Sequence, residues 1–561
     1  MLNRMPFLET LLTAYMFTET QAYLDKALYL LEHWIDNCPV PDYDFLIKHS
    51  NVVTGWRTLE VGIRMFSSWP FFLRTLLMGN KLTPSLFEKI MVSIYEHGDV
   101  LATVPKVYWP KADHNHYLME NLGLLTIALY FPELKKADEW RAFSLRELER
   151  CTKAQLMEEG GQIEGCPGYH HGCVYWFYLA AARAKSFGFG FSEGYMGRLK
   201  NAVGYSMYCH RPTGDDVLWG DSFKSRSGIF AALLGYLLFN DPQNINILSN
   251  YAGKDIVTKT AVTMAWEIDS EKDVLTLTEG SYLNQDSQKP PLYNYQPGLD
   301  QYIARTSWDK DAFSLFFACR LPVNNAHAHI DPMSFDFTAF GQNLIADPSA
   351  FCYREDAQRK KYKSAEWHST LLINDKPPFE YISSWAFGPQ KDGHIIRTGQ
   401  KNGIFYAEAL QNSYLPAVHK RFIAIVNEDA LVVFDKVTNL QDSDSIRLYF
   451  HLNTTELASI SSNVFFSKHG NIVMTSIFSD NLCGEILDGT IASELDLEQP
   501  SKRIGLINCG KENARVFVSV FMPSKKSSIV QADIKNYSYD DKKLSVSLLI
   551  DGALVKYDFE P

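Results

Sequence analysis

Three features that would place this chain in a special structural class are missing from its sequence. No run of about 18 apolar residues occurs, so no stretch is long enough to span a membrane as a helix. The nine cysteines are scattered without CxxC spacing. This argues against a zinc ribbon or a disulfide framework and favours buried free thiols in a reducing compartment. No fixed-period repeat identifies a known repeat class.

Positive charge is also in short supply. The 561 residues include 54 Lys and Arg against 65 Asp and Glu, for a formal net charge of −11. This balance argues against a nucleic-acid or membrane partner, and an anionic ligand would need a locally basic cleft. The N-terminal segment lacks a basic-then-apolar pattern with a small-residue cleavage site. As it stands, the sequence predicts a cytoplasmic protein, or a periplasmic or secreted one if a signal has been removed.

The composition that remains is that of a globular protein rich in aromatic residues. Hydrophobic residues make up 46%, charged residues 21% and aromatic residues 13% of the chain. The first two values exclude a mostly disordered chain. The aromatic content suits either stacking on sugars or a large aromatic core.

The two halves of the chain differ in hydrophobic periodicity. Over about the first 240 residues, apolar residues recur at i, i+3, i+4 and i+7, which predicts helices stacked as hairpins in a solenoid or a closed toroid. From about Asp273, β-branched and aromatic residues alternate with polar ones. That alternation predicts short strands in a large antiparallel sandwich.

The segment richest in chemistry lies in the β half. His327, His329 and Asp331 alternate, so all three would project from one face of an extended segment. Asp347 and His368 follow closely along the chain. Two histidines and an aspartate in such a region are able to hold one divalent metal ion. The alternative is a set of hydrogen-bonded polar residues on a solvated sheet face.

Two polar clusters lie in the helical half. Asn115 and His116 come just before a predicted helix, where Asn115 is either a helix cap or a side chain that faces a cleft. A Gly- and Pro-rich loop from Gly160 leads to Tyr169 and His170. Loops of this kind place side chains at clefts, although Tyr169 could equally be an aromatic residue at a helix boundary.

A basic run and a Trp-Gly turn complete the candidate features. The run lies between Asp347 and His368, and it forms either a solvated face or a wall that binds anions. Its members are Arg354, Arg359, Lys360, Lys361 and Lys363. The turn at Trp219-Gly220-Asp221-Ser222 is similar to a sugar-binding rim.

Taken in order along the chain, these motifs resemble those of the heparinase II/III-like polysaccharide lyases. Trp56–Glu60 with Arg64 is similar to that family's N-terminal signature, and Asn115-His116 and Glu164…Tyr169-His170 to its two catalytic segments. The C-terminal signature HxHxDPxSF…G…DP…Y…WHST is carried by His327, His329, Asp331, Ser334, Phe335, Gly341, Asp347, Pro348, Tyr353 and His368. Four motifs in order are far more specific than any one of them.

The resemblance implies an α+β multidomain fold. An N-terminal (α/α) toroid of helical hairpins would be followed by a C-terminal antiparallel multi-layer β-sandwich, with the active site in the cleft between them. The implied bounds are residues 1–245 for the toroid, 246–270 for a linker and 271–561 for the β domain. The implied activity is the cleavage of uronic-acid-containing polysaccharides by β-elimination.

The resemblance also implies roles for individual residues. Asn115 would neutralise the uronate carboxylate, His116 and Tyr169 would be base and acid, and His327 would complete the site. Tyr353 or Tyr362 would replace a second tyrosine found in some alginate-cleaving relatives. Further substrate contacts are expected at Arg57, Glu164, His170, Trp219, Tyr353, Arg354 and Tyr362. One divalent ion of mainly structural role, zinc being the usual occupant and manganese an alternative, would be held by His329, Asp347 and His368.

The predicted substrates are glycosaminoglycans, namely heparan sulfate, chondroitin sulfate and hyaluronan, because the basic run favours a densely anionic chain. Alginate or another polyuronate is the alternative substrate. A glycoside hydrolase would need two carboxylates on either side of the bond, for which Glu164 and Asp221 are the candidates. A non-catalytic sugar-binding protein is a third possibility. The oligomeric state stays open.

Overall fold

The computed structural model of the chain divides into two compact units. The first unit comprises residues 1–157, 173–199 and 264–271, and the second comprises residues 158–172, 200–263 and 272–561. The structure describes residues 2–49, 52, 54–108, 112–264, 267, 271–319, 321, 327–526, 532–540 and 543–559. No helix within these described ranges is long and apolar enough to cross a membrane.

The N-terminal part of the chain is helical, as its periodicity predicts. Its α-helices are α1 (Pro6–Thr18), α2 (Gln21–Asn37), α3 (Tyr43–Lys48), α4 (Thr58–Phe66), α5 (Ser68–Met78), α6 (Pro84–Thr103), α7 (Asn115–Tyr130), α8 (Ala137–Gln155), α9 (Pro167–Ser186), α10 (Glu193–Ser206), α11 (Ser227–Phe239), α12 (Pro242–Ile247), α13 (Gly253–Thr263) and α14 (Glu271–Glu279). Helix α13 falls within the segment predicted to be a linker, and the predicted domain bounds stay a prediction.

The C-terminal part is built from antiparallel strands. They are β1 (Tyr293–Gln296), β2 (Gln301–Arg305), β3 (Ser314–Ala318), β4 (Ser334–Ala339), β5 (Gln342–Ile345), β6 (Leu371–Ile373), β7 (Tyr381–Ser383), β8 (Ala386–Phe387), β9 (Gly393–Lys401), β10 (Ile404–Gln411), β11 (Val418–Val426), β12 (Ala430–Thr438), β13 (Ile446–Leu452), β14 (Glu456–Ser461), β15 (Val464–His469), β16 (Ile472–Phe478), β17 (Cys483–Glu494), β18 (Leu497–Asn508), β19 (Arg515–Ser524), β20 (Ala532–Tyr539), β21 (Leu544–Ile550) and β22 (Ala553–Phe559). One further helix, α15 (Ala357–Lys363), lies among them.

The strands form two large sheets and two small ones within the described residues. The first large sheet runs β1-β2-β3-β4-β5-β13-β18-β17, with β6 paired to β13. The second runs β14-β15-β16-β19-β12-β11-β10-β9. Strands β20–β22 form a three-stranded sheet, and β7 pairs with β8 in a short hairpin.

Alternation along β11 shows how the layers pack. Ile423 and Ile425 join the core that the two large sheets share, where Phe335 and Phe450 also lie. Phe422, on the opposite face of β11, belongs to a second core with the three-stranded sheet. The central sheet is therefore apolar on both faces, as the middle layer of three must be. The predicted α+β fold, with a helical N-terminal domain followed by an antiparallel multi-layer β domain, is confirmed.

Within the first unit, helices α4 and α7 approach each other backbone to backbone. A Cβ atom added at Gly62 would lie 2.8 Å from the Met119 carbonyl oxygen. One added at Gly123 would lie 2.7 Å from the Gly62 Cα. Glycine at both positions is required by this close approach, which sets the position of the Trp56–Glu60 motif relative to the helix that begins at Asn115.

We expect Gly62→Ala to destabilise the protein by about 1–3 kcal/mol, because the new methyl group meets the main chain of α7 rather than a flexible side chain. The measurement is the midpoint of thermal unfolding. Gly197→Ala in α10 is the matched control, since no atom lies within 4 Å of a Cβ there. This control should be neutral or stabilise the helix by up to about 1 kcal/mol. Equal midpoints for the two variants would contradict the close approach.

Candidate active site

A buried carboxylate in the second unit, that of Asp221, forms four hydrogen bonds with three side chains. Arg359 donates to both of its oxygens at 2.6 Å. His327 Nδ1 lies 2.8 Å from Oδ2, and His329 Nε2 lies 2.9 Å from Oδ1. Burial alone would raise the pKa of Asp221, but Lys363 and these three donors hold it well below its ordinary value. Asp221 is therefore a permanent anion.

The loop that carries Asp221 packs closely against the main chain of His327. Gly220 has a positive φ of 58°, and a Cβ atom there would lie 2.8 Å from the His327 carbonyl oxygen. That same carbonyl accepts the Asp221 N–H at 3.0 Å. Trp219 is buried against Phe316, with ring centroids 5.3 Å apart. This segment is an internal loop, and its likeness to a sugar-binding rim does not hold.

His327 lies between two carboxylates and one aromatic ring. Its Nδ1 faces Asp221, and its Nε2 lies 3.5 Å from the Glu164 Oε2. Its ring stacks on Tyr169, with centroids 3.5 Å apart and planes at 21°. Because the Asp221 carboxylate only accepts hydrogen bonds, Nδ1 carries a proton, and Nε2 is the nitrogen that faces Glu164.

Tyr169 sits at the start of α9, beyond the Gly- and Pro-rich loop. Strands β1 and β2 hold this loop: Gln296 accepts the Gly161 N–H at 2.9 Å, and Gln301 donates to the Gly165 carbonyl at 2.6 Å. The Ser222 hydroxyl accepts the Gly168 N–H at 2.9 Å. The residue before Tyr169 is thus attached to the residue after Asp221.

The surroundings of Tyr169 favour its protonated form. Burial raises the pKa, and Tyr353 and Asp221 raise it further. His170 supplies no positive charge, because burial lowers its pKa well below the ordinary value. Its Nε2 lies 2.8 Å from the Ser206 hydroxyl. Tyr169 therefore keeps its proton at neutral pH.

Two more aromatic rings surround His327. The Tyr169 hydroxyl lies 3.4 Å from that of Tyr353. Trp385 meets the His327 ring edge-on with centroids 5.5 Å apart, and its plane is within 3° of that of Tyr353. Trp385 is 50% exposed. This group of Tyr169, His327, Tyr353 and Trp385 is called the aromatic patch below.

The basic run folds into α15 and does not form a simple wall of free cations. Arg359 is fully buried against Asp221. The ammonium of the buried Lys363 donates to the Ser384 carbonyl at 2.9 Å. Arg354 is 61% exposed and pairs with Asp496 at 2.6 Å. Lys361 pairs with Glu498 at 3.3 Å. Three cations of the candidate anion-binding wall, Arg354, Arg359 and Lys361, are therefore already paired with carboxylates of the protein.

Tyr362 lies apart from the aromatic patch. Its side chain is buried, and its hydroxyl bonds with Thr490 at 2.8 Å and Glu498 at 2.9 Å. Tyr353, whose hydroxyl approaches that of Tyr169, is thus the better placed of the two tyrosines considered for a second catalytic tyrosine. Both assignments stay predictions.

The histidine and asparagine of the first catalytic motif lie in the first unit. Asn115 is the first residue of α7 and is buried, and the cap of this helix is His114, whose Nδ1 accepts the His116 N–H at 3.2 Å. Gln155 donates to the carbonyls of Ala112 and His114 and so holds the loop that precedes the helix. The predicted cap at Asn115 is therefore wrong.

The Trp56–Glu60 motif places two buried carboxylates near each other in the first unit. Arg57 precedes α4 and lies 3.7 Å from Glu60. Glu120 of α7 is buried and hydrogen-bonds Thr58. Burial raises the pKa of Glu120 to about 8; Thr58 and Arg57 lower it in part, and Glu60 raises it. Glu120 is thus largely protonated at neutral pH.

His329, Asp347 and His368 form a buried group in the second unit. One potential ligand atom of each lies within 4.8 Å of the others. Asp331 does not belong to this group, although the alternation placed it on the same face. The chain is not extended at this point, so a two-residue period does not apply beyond His329.

Hydrogen bonding shows that this group suits a cation. His329 Nε2 must donate to Asp221, which leaves a lone pair on Nδ1, and this atom has no partner among the described residues. His368 Nε2 donates to the Tyr362 carbonyl at 3.1 Å, and its Nδ1 lies 2.9 Å from Asp347 Oδ2. Burial lowers the pKa of His368, but Asp347 raises it above the ordinary value. A proton on Nδ1 therefore joins the two groups when no ion is bound, and a metal ion would take its place. Histidine ligands held by an acceptor on the other nitrogen are the usual arrangement at metal sites.

Comparison with known proteins adds the family. Residues 1–245 match the profile of the heparinase II/III N-terminus, and residues 301–518 match the heparinase II/III-like C-terminal profile. The chain belongs to the heparinase II/III-like family.

Named members of this family are distant in sequence and close in fold. A heparin-sulfate lyase of Bacteroides stercoris is 20% identical over 90% of this chain and 70% of its own length. One from Pedobacter heparinus is 21% identical over 98% and 78%. The crystal structure of Heparinase III superposes with a TM-score of 0.75 at 18% identity and covers all of this chain and 83% of that one. A heparan sulfate lyase from Pedobacter heparinus gives 0.71 at 19%, covering 100% and 82%.

The family motifs do not point to Asp221, Arg359, Lys363 or Trp385. The sequence places Asp221 in a turn similar to a sugar-binding rim, and Arg359 and Lys363 in a basic run that forms a solvated face or a wall that binds anions. Trp385 follows a strand of only three residues. A clue to Arg359 and Lys363 was available, since their spacing of four places both on one face of a helix.

If this group holds a metal ion, removal of the ion should lower the thermal unfolding midpoint, because the buried Nδ1 of His329 would then be left without a partner among the described residues. The measurement is the midpoint with and without chelator. His368→Ala should lower the midpoint and abolish the response to chelator. His451→Ala is the control, since His451 is an equally buried histidine outside the group and its variant should keep the response. A wild-type midpoint that chelator leaves unchanged would contradict the site.

Glu120 should give the protein a pH-dependent loss of stability. Between the ordinary carboxyl pKa and about 8, the folded chain keeps a proton on Glu120 that the unfolded chain releases. Stability therefore falls as pH rises through this window. Glu120→Gln should be increasingly more stable than wild type from pH ~5 to pH ~8. Thermal midpoints across this range measure the difference. Glu88→Gln, an exposed control on α6, should show a constant difference; a constant difference for Glu120→Gln would contradict the raised pKa.

Proposed function

We propose that this chain is a polysaccharide lyase that cleaves uronic-acid-containing glycosaminoglycans by β-elimination and releases unsaturated oligosaccharides. The observation that carries the proposal is the pair of Tyr169 and His327, stacked at 3.5 Å with Asp221 on the far nitrogen of the imidazole. Family membership supports it, and the curated relatives named above are heparin-sulfate lyases.

The reaction is difficult at its first step. The C5 proton of a uronate is poorly acidic, because the neighbouring carboxylate is already negative and the carbanion formed is a dianion. Donors aimed at that carboxylate stabilise the developing charge, and loss of one such donor typically costs ~10²–10³ in rate. A base then removes the C5 proton, an acid protonates O4, and the C4–O4 bond breaks as the C4–C5 double bond forms.

We propose that His327 is the charged hydrogen-bond donor to the substrate carboxylate. When its Nε2 is protonated, the imidazolium is balanced by Asp221 on Nδ1, just as a buried aspartate supports an imidazolium elsewhere in enzymes. Its charge-assisted bond to the substrate carboxylate would be stronger than a neutral one. Asp221 acts here through His327 and is a positioning residue.

We propose that Tyr169 donates the proton that O4 receives. Its raised pKa means that it carries a proton before substrate binds. For a glucuronate, whose C5–H and O4 lie on one face of the ring, Tyr169 would also have to accept the C5 proton. It must then become ionised once substrate is bound, with the protonated His327 ring stacked beside it.

The remaining roles follow from the resemblance. Asn115 is proposed as the neutral donor to the carboxylate. His116 is proposed as the base for iduronate, where C5–H and O4 lie on opposite faces. Tyr169 would then serve only as the acid.

The group of His329, Asp347 and His368 is proposed to hold zinc, which takes imidazole and carboxylate ligands in tetrahedral geometry. The ion would supply cohesion rather than a reaction step. Since His329 and His327 bind the two oxygens of the same Asp221 carboxylate, fixing His329 also fixes the acceptor that orients His327.

A glycoside hydrolase that uses Glu164 and Asp221 is not supported by the geometry. A hydrolase requires one carboxyl group that gives up a proton. Asp221 is held as an anion by Arg359 and two histidines, and its side chain has no exposed surface. It can neither protonate a leaving group nor reach a sugar.

We expect Tyr169→Phe to abolish turnover on every substrate, because the phenyl ring keeps the stacking on His327 but has no proton to donate. His116→Ala should impair iduronate linkages more than glucuronate linkages. The assay follows the ultraviolet absorbance of the unsaturated product on heparan sulfate, chondroitin sulfate, hyaluronan and alginate. Wild-type activity of Tyr169→Phe would refute its assignment.

The same panel tests the function itself. Wild-type protein should release absorbing product from at least one glycosaminoglycan. Product from alginate alone would replace the glycosaminoglycan assignment with a polyuronate one. Saturable binding of these polymers without any absorbing product would make the chain a sugar-binding protein instead.

A further inference from the structure

Trp385 is the one member of the aromatic patch that is largely accessible. Half of its surface is exposed, whereas Tyr169 and Tyr353 are partly buried. An exposed indole offers a large, flat apolar surface on which a ligand is able to pack. Here the exposed ring lies 5.5 Å from the ring of His327, the residue assigned to the substrate carboxylate.

The main chain next to Trp385 is firmly anchored. The Ser384 N–H donates to Glu355 Oε2 at 2.6 Å, and the Ser384 carbonyl accepts the Lys363 ammonium at 2.9 Å. Glu355 also accepts the Tyr381 hydroxyl at 2.8 Å. Ser384 itself is fully buried. Both main-chain polar groups of Ser384, the residue before Trp385, are thus held by charged side chains, and the short β7–β8 hairpin is fixed where it carries the indole.

The Arg359 guanidinium lies near the ring of Trp385, 5.6 Å from its centroid. This cation is already bound by both oxygens of Asp221. The Arg359 guanidinium can therefore pack near the indole of Trp385 without binding an anion of the substrate. The exposed surface that Trp385 presents beside His327 is uncharged.

We propose that Trp385 is a substrate-binding residue that stacks on the apolar face of the sugar ring next to the bond being cleaved. The inference rests on the proposed lyase function. The C–H face of a pyranose packs on an indole face through dispersion and burial of apolar area. This contact involves the sugar ring and not its sulfate groups. Trp385 should therefore contribute equally to the binding of glycosaminoglycans that differ in sulfation.

The test compares Trp385→Ala with Trp385→Phe in the full-length protein. Steady-state kinetics are followed by product absorbance on heparan sulfate fractions of low and high sulfation, each at low and high salt. For Trp385→Ala, KM should rise on the order of tenfold, with a much smaller change in kcat, as expected for loss of a contact that is made throughout the reaction. The factor should be the same for both fractions and at both salt concentrations, and Trp385→Phe should restore most of it.

Ile382→Ala is the matched control, because Ile382 is an exposed apolar residue of the same hairpin and is 59% exposed. Its KM should equal that of wild type; a rise equal to that of Trp385→Ala would show that the hairpin, not the indole, matters and would overturn the inference. A wild-type KM for Trp385→Ala, no rescue by Phe, or an effect limited to the highly sulfated fraction or to low salt would overturn it as well.

Failure of the proposed function is recognised separately. If wild-type protein itself releases no absorbing product, the lyase assignment fails for every variant alike. Calorimetric titration with heparan sulfate oligosaccharides then decides the contact. Weaker binding by Trp385→Ala than by Ile382→Ala would uphold it, and equal binding would overturn it.

Discussion

One buried carboxylate organises the second unit's candidate site. Asp221 receives Arg359 on both oxygens, the imidazole assigned to catalysis on one and an imidazole of the metal group on the other. A charge without exposed surface is stable only when it is matched by cations and hydrogen bonds of good geometry. Each of these partners is held in place by the same requirement, so the orientation of His327 follows from the electrostatic cost of burying Asp221.

The same constraint changes how the basic run is understood. A run of Arg and Lys in an acidic protein suggests an anion-binding wall, but Arg359 is already bound to Asp221, and Lys363 anchors the hairpin of Trp385. Recognition near His327 is therefore proposed to come from an uncharged aromatic surface. Of the cations of α15, Lys360 alone is exposed.

The sequence predicted most of the fold and part of the site. Apolar periodicity separates the helical part from the antiparallel part because helices and strands bury their apolar residues with different periods. The family resemblance implied that His329, Asp347 and His368 act together, and one potential ligand atom of each lies within 4.8 Å of the others. The sequence could not identify Asp221, because whether a carboxylate is exposed depends on contacts such as that with Arg359, 138 residues away. The raised pKa of Tyr169 was equally invisible in the sequence, because it results from burial in the folded chain.

The long separation in sequence between Asp221 and its partners affects the order in which the site assembles during synthesis. A ribosome releases Asp221 well before Arg359, and the metal group is complete only with His368. Until Arg359 has been made, Asp221 lacks the guanidinium that binds both of its oxygens and must stay hydrated. The candidate site is therefore expected to close only after much of the helical region is already outside the exit tunnel.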